Sequence, residues 1–163
     1  MHIYLVRHAI AEPRGSSWPD DSLRPLTERG RRRFAAASAG LARLEGVPER
    51  VLTSPYVRAR QTAELLVAAG GSAGVVESFG ALEPGHSPAT VLTRLRQHKD
   101  DRVVLVGHEP DLGQLAATLL GAVRPIPFKK GAICRIDVEW GRVPTGTLVW
   151  FLPPGALRRL GRG

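Results

Sequence analysis

Apolar residues along the chain alternate between short unbroken runs and helical spacing. "HIYLVR" (residues 2–7), "RVLTS" (50–54) and "DRVVLVGH" (101–108) read as strands buried on both faces, with "GVVES" (74–78) and "FGAL" (79–82) as weaker extended pieces. Between them, "LTERGRRRFAAASAGLARL" places Phe34, Ala37, Leu41 and Leu44 on one helical stripe behind a Thr27 cap. "SPYVRARQTAELLVAAG" follows, with Ser54 suited to the N-cap, Pro55 to the first helical position and Gly70 to the stop. Ser87 and Pro88 open a further helix, "PATVLTRLRQH", and "EPDLGQLAATLLG" has Pro110 near its start and Gly121 at its end. The tail changes character: "GAICRIDVEW" and "GTLVWFLP" alternate like paired strands across a turn at 141–145.

Strands joined through helices by long connections imply a mainly parallel sheet with helices on both faces, closed by a C-terminal antiparallel hairpin. Residues 1–163 read as one domain, without repeat or linker. A chain of this length buries roughly 70% of its unfolded surface, enough for a core without disulfides. Cys134 is the one cysteine and falls in a strand-like run, so it reads as a core residue in a reducing compartment. No apolar stretch approaches the roughly 18 residues of a membrane span, and Arg7 and His8 interrupt any signal-peptide core; a cytoplasmic location is expected.

Charge narrows the partners. Lys and Arg number 23 against 15 for Asp and Glu, a net +8, and most of these cations are arginine, which favours acidic partners. Nucleic acid is disfavoured: aromatic residues make up 6%, no zinc-finger or RNA-recognition pattern occurs, and "ERGRRRF" reads as a solvated helix face.

Chemistry stands at the strand ends. In an open parallel sheet, ligands bind outside the carboxyl ends of the strands, and those ends here carry Arg7 and His8, then Ser54 to Arg58, then His108. These residues are expected to converge on one crevice as an anion site. The Ser54-Pro55 helix start would add backbone N–H donors, and Arg58 a planar fork for two phosphate oxygens. Neither a Walker loop nor a dinucleotide fingerprint is present. Neighbouring cations disfavour imidazolium, so His8 should be neutral, one ring nitrogen donating to a backbone carbonyl and the other free to attack phosphorus. The acid for the leaving group is Glu83 by preference, with Asp21 and its neighbour Arg24 on the loop after His8 as the alternative. His86 follows Glu83 and is a candidate to line the site; His2 and His98 lack such company. A metal set of His8, His108, Glu109 and Asp111 matches no zinc spacing, and the arginines would repel a cation. Lys129 and Lys130 read either as solvated turn residues or as a dock for an acidic protein surface.

Taken in order, "LVRHA", "LRPLTERG", "SPYVRARQTAE", "LEPGHSP", "VGHEPDLG" and "KKGAICRID" resemble the histidine phosphatase superfamily, specifically its short SixA-type phosphohistidine phosphatases, over roughly residues 1–152. The resemblance implies a three-layer α/β/α sandwich, His8 as the phosphorylated nucleophile, Arg7, Arg58 and His108 as phosphate ligands, and no metal or other cofactor. Ala9 stands where many members carry glycine. With only Val76 to Pro88 available to roof the site, a bulky substrate is expected: a phosphohistidine on a protein, such as a phosphocarrier or phosphotransfer domain. The alternatives are a small phosphate ester, or a module that binds phosphate or nucleic acid without turnover.

Overall fold

The computed structural model describes residues 1–71 and 74–162. Six strands form one sheet in the order β3-β2-β4-β1-β5-β6. The first four in chain order, β1 (His2–Arg7), β2 (Arg50–Thr53), β3 (Val75–Ser78) and β4 (Arg102–Gly107), run parallel; β5 (Ile133–Glu139) and β6 (Thr145–Leu152) form an antiparallel hairpin on the β1 edge. Helices α1 (Glu28–Glu45), α2 (Val57–Gly70), α3 (Pro88–Leu95), α4 (Asp111–Leu120) and α5 (Pro154–Leu160) complete the chain.

The unbroken apolar strands are buried on both faces, as their lack of polar alternation requires. Ile3 and Leu5 point into a core with Leu92, Leu95, Leu112 and Leu115 from α3 and α4. Tyr4 and Val6 point the other way, against Phe34 and Leu41 of α1, Leu66 of α2 and Leu157 of α5. Two cores separated by one sheet make the three-layer α/β/α sandwich.

Local signals account for most boundaries. Thr27 caps α1 by accepting from Gly30 N–H, Ser87 caps α3 by accepting from Thr90 N–H, and Gly121 ends α4 in the left-handed region at φ 64°. Four expectations need correction. "FGAL" folds into a 3-10 turn (Gly80–Leu82) that tucks Ala81 and Leu82 under the sheet. Leu44 is 42% exposed, one turn past the buried stripe. Helix α2 begins at Val57 with Tyr56 at its N-cap, so Ser54 is not its cap. Finally, α5 was not anticipated; its seven residues are too few to show a period, and packing against α1 holds it, Gly40 leaving room for the Leu157 carbonyl.

Candidate active site

Strand register assembles the site. Arg7 of β1 lies beside Gly107 of β4, and Thr53 of β2 beside Val106, so the next residues, His8, His108 and Ser54, leave the sheet side by side. Backbone bonds from His8 N–H to Gly107 O (3.0 Å) and Ser54 N–H to Val106 O (3.0 Å) continue the ladder one residue beyond the strands. The two imidazoles then face each other with ring centres 5.2 Å apart.

His8 is buried, and its Nδ1 lies 2.8 Å from the Ala9 carbonyl. A carbonyl can only accept, so Nδ1 carries the proton and Nε2 keeps its lone pair. Burial pushes the ring pKa down to about 3; the Ala9 hydrogen bond opposes this, and the charges of Arg58, Arg7 and Lys130 add to it. The ring is therefore neutral, as expected. Ala9 is itself fixed: its N–H donates to Thr62 Oγ1 (3.0 Å), which donates to the Arg58 carbonyl (2.7 Å). This tie from α2 to the residue that orients His8 has no counterpart in a sequence motif, because Thr62 reads as an ordinary helix residue.

Ser54 stands behind His108. Its Oγ accepts the Tyr56 N–H (3.3 Å) and lies 2.9 Å from His108 Nε2. The hydroxyl can donate to Nε2 or accept from it, so this contact fixes the position of the His108 ring and not its tautomer. Burial, then the neighbouring His8 and Arg58, lower the His108 pKa to about 3. His108 Nδ1, Arg7 Nε and Arg58 Nε are buried without a protein partner. Groups of this kind ordinarily find one, and an oxyanion supplies acceptors of the kind the two guanidinium N–H groups lack.

Arg7, His8, Arg24, Arg58, His108 and Lys130 line one cleft of about 490 Å³. The remaining candidates fall elsewhere. Glu83 follows the 3-10 turn with its N–H on the Gly80 carbonyl, and its neighbour Pro84 reaches the cleft wall instead. His86 is exposed and outside the lining, and Ser54 is fully buried beneath it.

Asp21 is outside the cleft lining and anchors three arginines that belong to it. Its Oδ1 accepts from Arg24 Nε (2.8 Å) and pairs with Arg14 (3.4 Å), while its Oδ2 accepts from Arg58 Nη2 (2.9 Å). Partial burial raises this carboxyl, but the Arg24 hydrogen bond and the charges of Arg58, Arg24 and Arg14 outweigh it and hold Asp21 below the usual carboxylate range. These contacts give the Asp21 carboxylate a positioning role toward three arginines.

Glu109, considered from sequence only as a metal ligand, lines the cleft and accepts the Phe128 N–H (3.3 Å). Phe128 in turn offers its carbonyl to Arg7 Nη1 (2.5 Å). Burial raises the Glu109 pKa against the pull of that backbone hydrogen bond and of Arg7. Asp111 turns away to accept from Gly85 N–H. Cys134 of β5 is buried in the core and burial pushes its thiol up to about 12, an inert core residue.

An imidazole with a free lone pair amid guanidinium groups is the constellation of phosphoryl transfer through histidine, and the comparisons agree. The sequence profile of the histidine phosphatase superfamily (branch 1) matches residues 3–83. An uncharacterised protein of Picosynechococcus sp. is 40% identical over 122 residues, covering 73% of each chain. Phosphohistidine phosphatase SixA of Escherichia coli is 28% identical over 161 residues, 97% of each chain. Among solved structures, that of the protein histidine phosphatase SixA complexed with tungstate superposes with a TM-score of 0.84 at 28% identity, over 96% of this chain and 99% of that one. The chain belongs to the histidine phosphatase superfamily, and its likeness to SixA runs through nearly its whole length.

Proposed function

We propose that the protein is a phosphohistidine phosphatase that works through a phosphorylated His8. The observation that carries this reading is the Nδ1–H of His8 held on the Ala9 carbonyl, which leaves Nε2 unprotonated beside Arg7, Arg58 and His108. His8 Nε2 attacks phosphorus, the bond from phosphorus to the substrate imidazole breaks, and that imidazole, protonated at its other nitrogen, leaves neutral with the bonding electron pair. Water then attacks phospho-His8, the phosphorus–Nε2 bond breaks with its electron pair returning to Nε2, one water proton passes to a phosphoryl oxygen, and hydrogen phosphate departs. Arg7, Arg58 and His108 hold the equatorial oxygens, with Arg24 at the flank. Arginine and lysine charge does the work of a metal here and would repel one. Tungstate, the ligand of the related structure, is a tetrahedral oxyanion like phosphate.

Two features favour a protein phosphohistidine over a small ester. The connection from β3 to α3 is short, residues 79–87, and its 3-10 turn packs under the sheet instead of roofing the cleft. Of the nearby carboxyl groups, Glu83 is outside the cleft lining, Asp21 is held by three arginines, and Glu109, which does line the cleft, is tied to the Phe128 N–H. A substrate imidazole leaves with little help, whereas an alkoxide needs a positioned acid that contributes on the order of 100-fold or more. A panel of phosphohistidine peptides, sugar phosphates, nucleotides and aryl phosphates tests this. Phosphohistidine should lead alkyl phosphates by about 100-fold in kcat/KM; a sugar phosphate at the head of the ranking would overturn it.

A further inference from the structure

Six of the 23 lysines and arginines form an ion pair with Asp or Glu among the described residues, and what sets three of the others apart is that they share one recess. Arg14, Arg24, Arg50, Arg58, Arg60 and Arg135 each pair with a carboxylate. Arg33 of α1, Arg158 of α5 and Lys130 of the loop before β5 pair with no Asp or Glu among the described residues, yet they line one recess of about 60 Å³ whose floor includes Ala9, Ile10 and Pro154. Gathering like charges without a counterion costs stability. Burial, and then the charges of Arg33 in the recess and of Arg162 and Arg159 outside its lining, lower the Arg158 guanidinium pKa. The recess is too small for a cofactor and large enough for the tip of one side chain.

Its position is as informative as its charge. Lys130 lines both this recess and the catalytic cleft, and Ala9 on its floor follows His8 in the chain. A group seated there lies directly beside the phosphoryl site, on the flank where a large substrate would rest on α1 and α5. Charge complementarity selects an acidic occupant, and contiguity makes it part of the same molecule as the phosphoryl group.

We propose that the recess of Arg33, Lys130 and Arg158 docks a carboxylate side chain flanking the phosphohistidine of a protein substrate. This rests on the phosphohistidine reading above and adds the sign of the surface around the target histidine.

Three probes test it: a phosphohistidine peptide flanked by four glutamates, its glutamine counterpart, and p-nitrophenyl phosphate. The native protein should prefer the glutamate peptide by about tenfold in kcat/KM, mostly through KM, with the preference falling as salt rises. In R33E/R158E the preference should vanish while turnover of p-nitrophenyl phosphate stays at the native rate, which also shows that the variant folds. R33E alone, at an exposed position, carries the same comparison if the double variant is unstable. R142E/K99E makes the same charge change at the opposite rim, where β5 turns into β6 and β4 begins, and should keep the preference. Equal kcat/KM for the two peptides in the native protein, or a preference surviving R33E/R158E, overturns the docking site alone. Turnover of p-nitrophenyl phosphate with neither peptide accepted overturns the phosphohistidine reading and the docking site with it.

Discussion

Asp21 holds both arms of Arg58: its carbonyl oxygen accepts from Nη1 at 2.6 Å and its carboxylate from Nη2 at 2.9 Å. The guanidinium is thereby aimed, and the loop carrying Asp21 is fastened to the residue placed to grip phosphate. Arg24, on the same carboxylate, is held by a second bond to the Glu12 carbonyl (2.7 Å). Asp21 is thus a positioning residue acting through two arginines.

Asp21→Asn should therefore weaken oxyanion binding and lower kcat/KM by about 10- to 100-fold, the scale of a lost charge-assisted hydrogen bond. The dependence of rate on leaving-group pKa should not change. Vanadate inhibition and a series of aryl phosphates measure the two quantities; a loss confined to poor leaving groups would instead mark Asp21 as the acid.

Thr62→Val removes the hydroxyl that accepts from Ala9 N–H and donates to the Arg58 carbonyl while keeping the shape of the side chain. With the Ala9 N–H left unpaired, stability should fall by about 1–3 kcal/mol in urea unfolding. Activity should fall as well, because Ala9 carries the carbonyl that orients His8. Thr62→Ser should restore most of both.

Gly30 on α1 faces the same loop: a Cβ there would stand 2.1 Å from the Ile10 carbonyl oxygen. Backbone must move to admit it, so Gly30→Ala should cost about 1–3 kcal/mol and lower kcat although Gly30 lies outside the catalytic cleft lining. Unchanged unfolding and turnover would show that the 9–11 loop is looser than this packing implies.

The neutral histidines set a pH dependence. His8 and His108 have folded pKa values of about 3 against 6.5 for the free side chain, so below pH 6.5 the unfolded chain binds protons that the folded one refuses. Their contribution is complete above pH 6.5 and is lost as pH falls toward 3, at up to about 1.4 kcal/mol per pH unit for each ring. Denaturant midpoints between pH 6.5 and 5, above the carboxylate range, should decline, and His108→Asn should flatten the decline by about half. A flat native profile over that interval would mean that the rings are protonated in the folded state.

Most of the scaffold was readable because its signals are local. Continuous apolar strands announce burial on both faces, and Thr27 and Ser87 cap where their side chains alone predict. The convergence of Arg7, His8, Arg58 and His108 followed from one topological rule about strand ends. What escaped depends on contacts between distant segments. Ser54 reads as a helix cap until β4 places His108 against it. Asp21 reads as a free acid until three arginines surround it. Thr62 has no chemical signature, and α5 owes its position to a glycine in α1.

Rapid quench of the enzyme during turnover of a labelled phosphohistidine peptide tests the central claim most directly. Label should be trapped on His8, stable in base and released by acid, and His8→Ala should show neither trapped label nor turnover. Native-like turnover by His8→Ala, or label on another residue, would contradict the account.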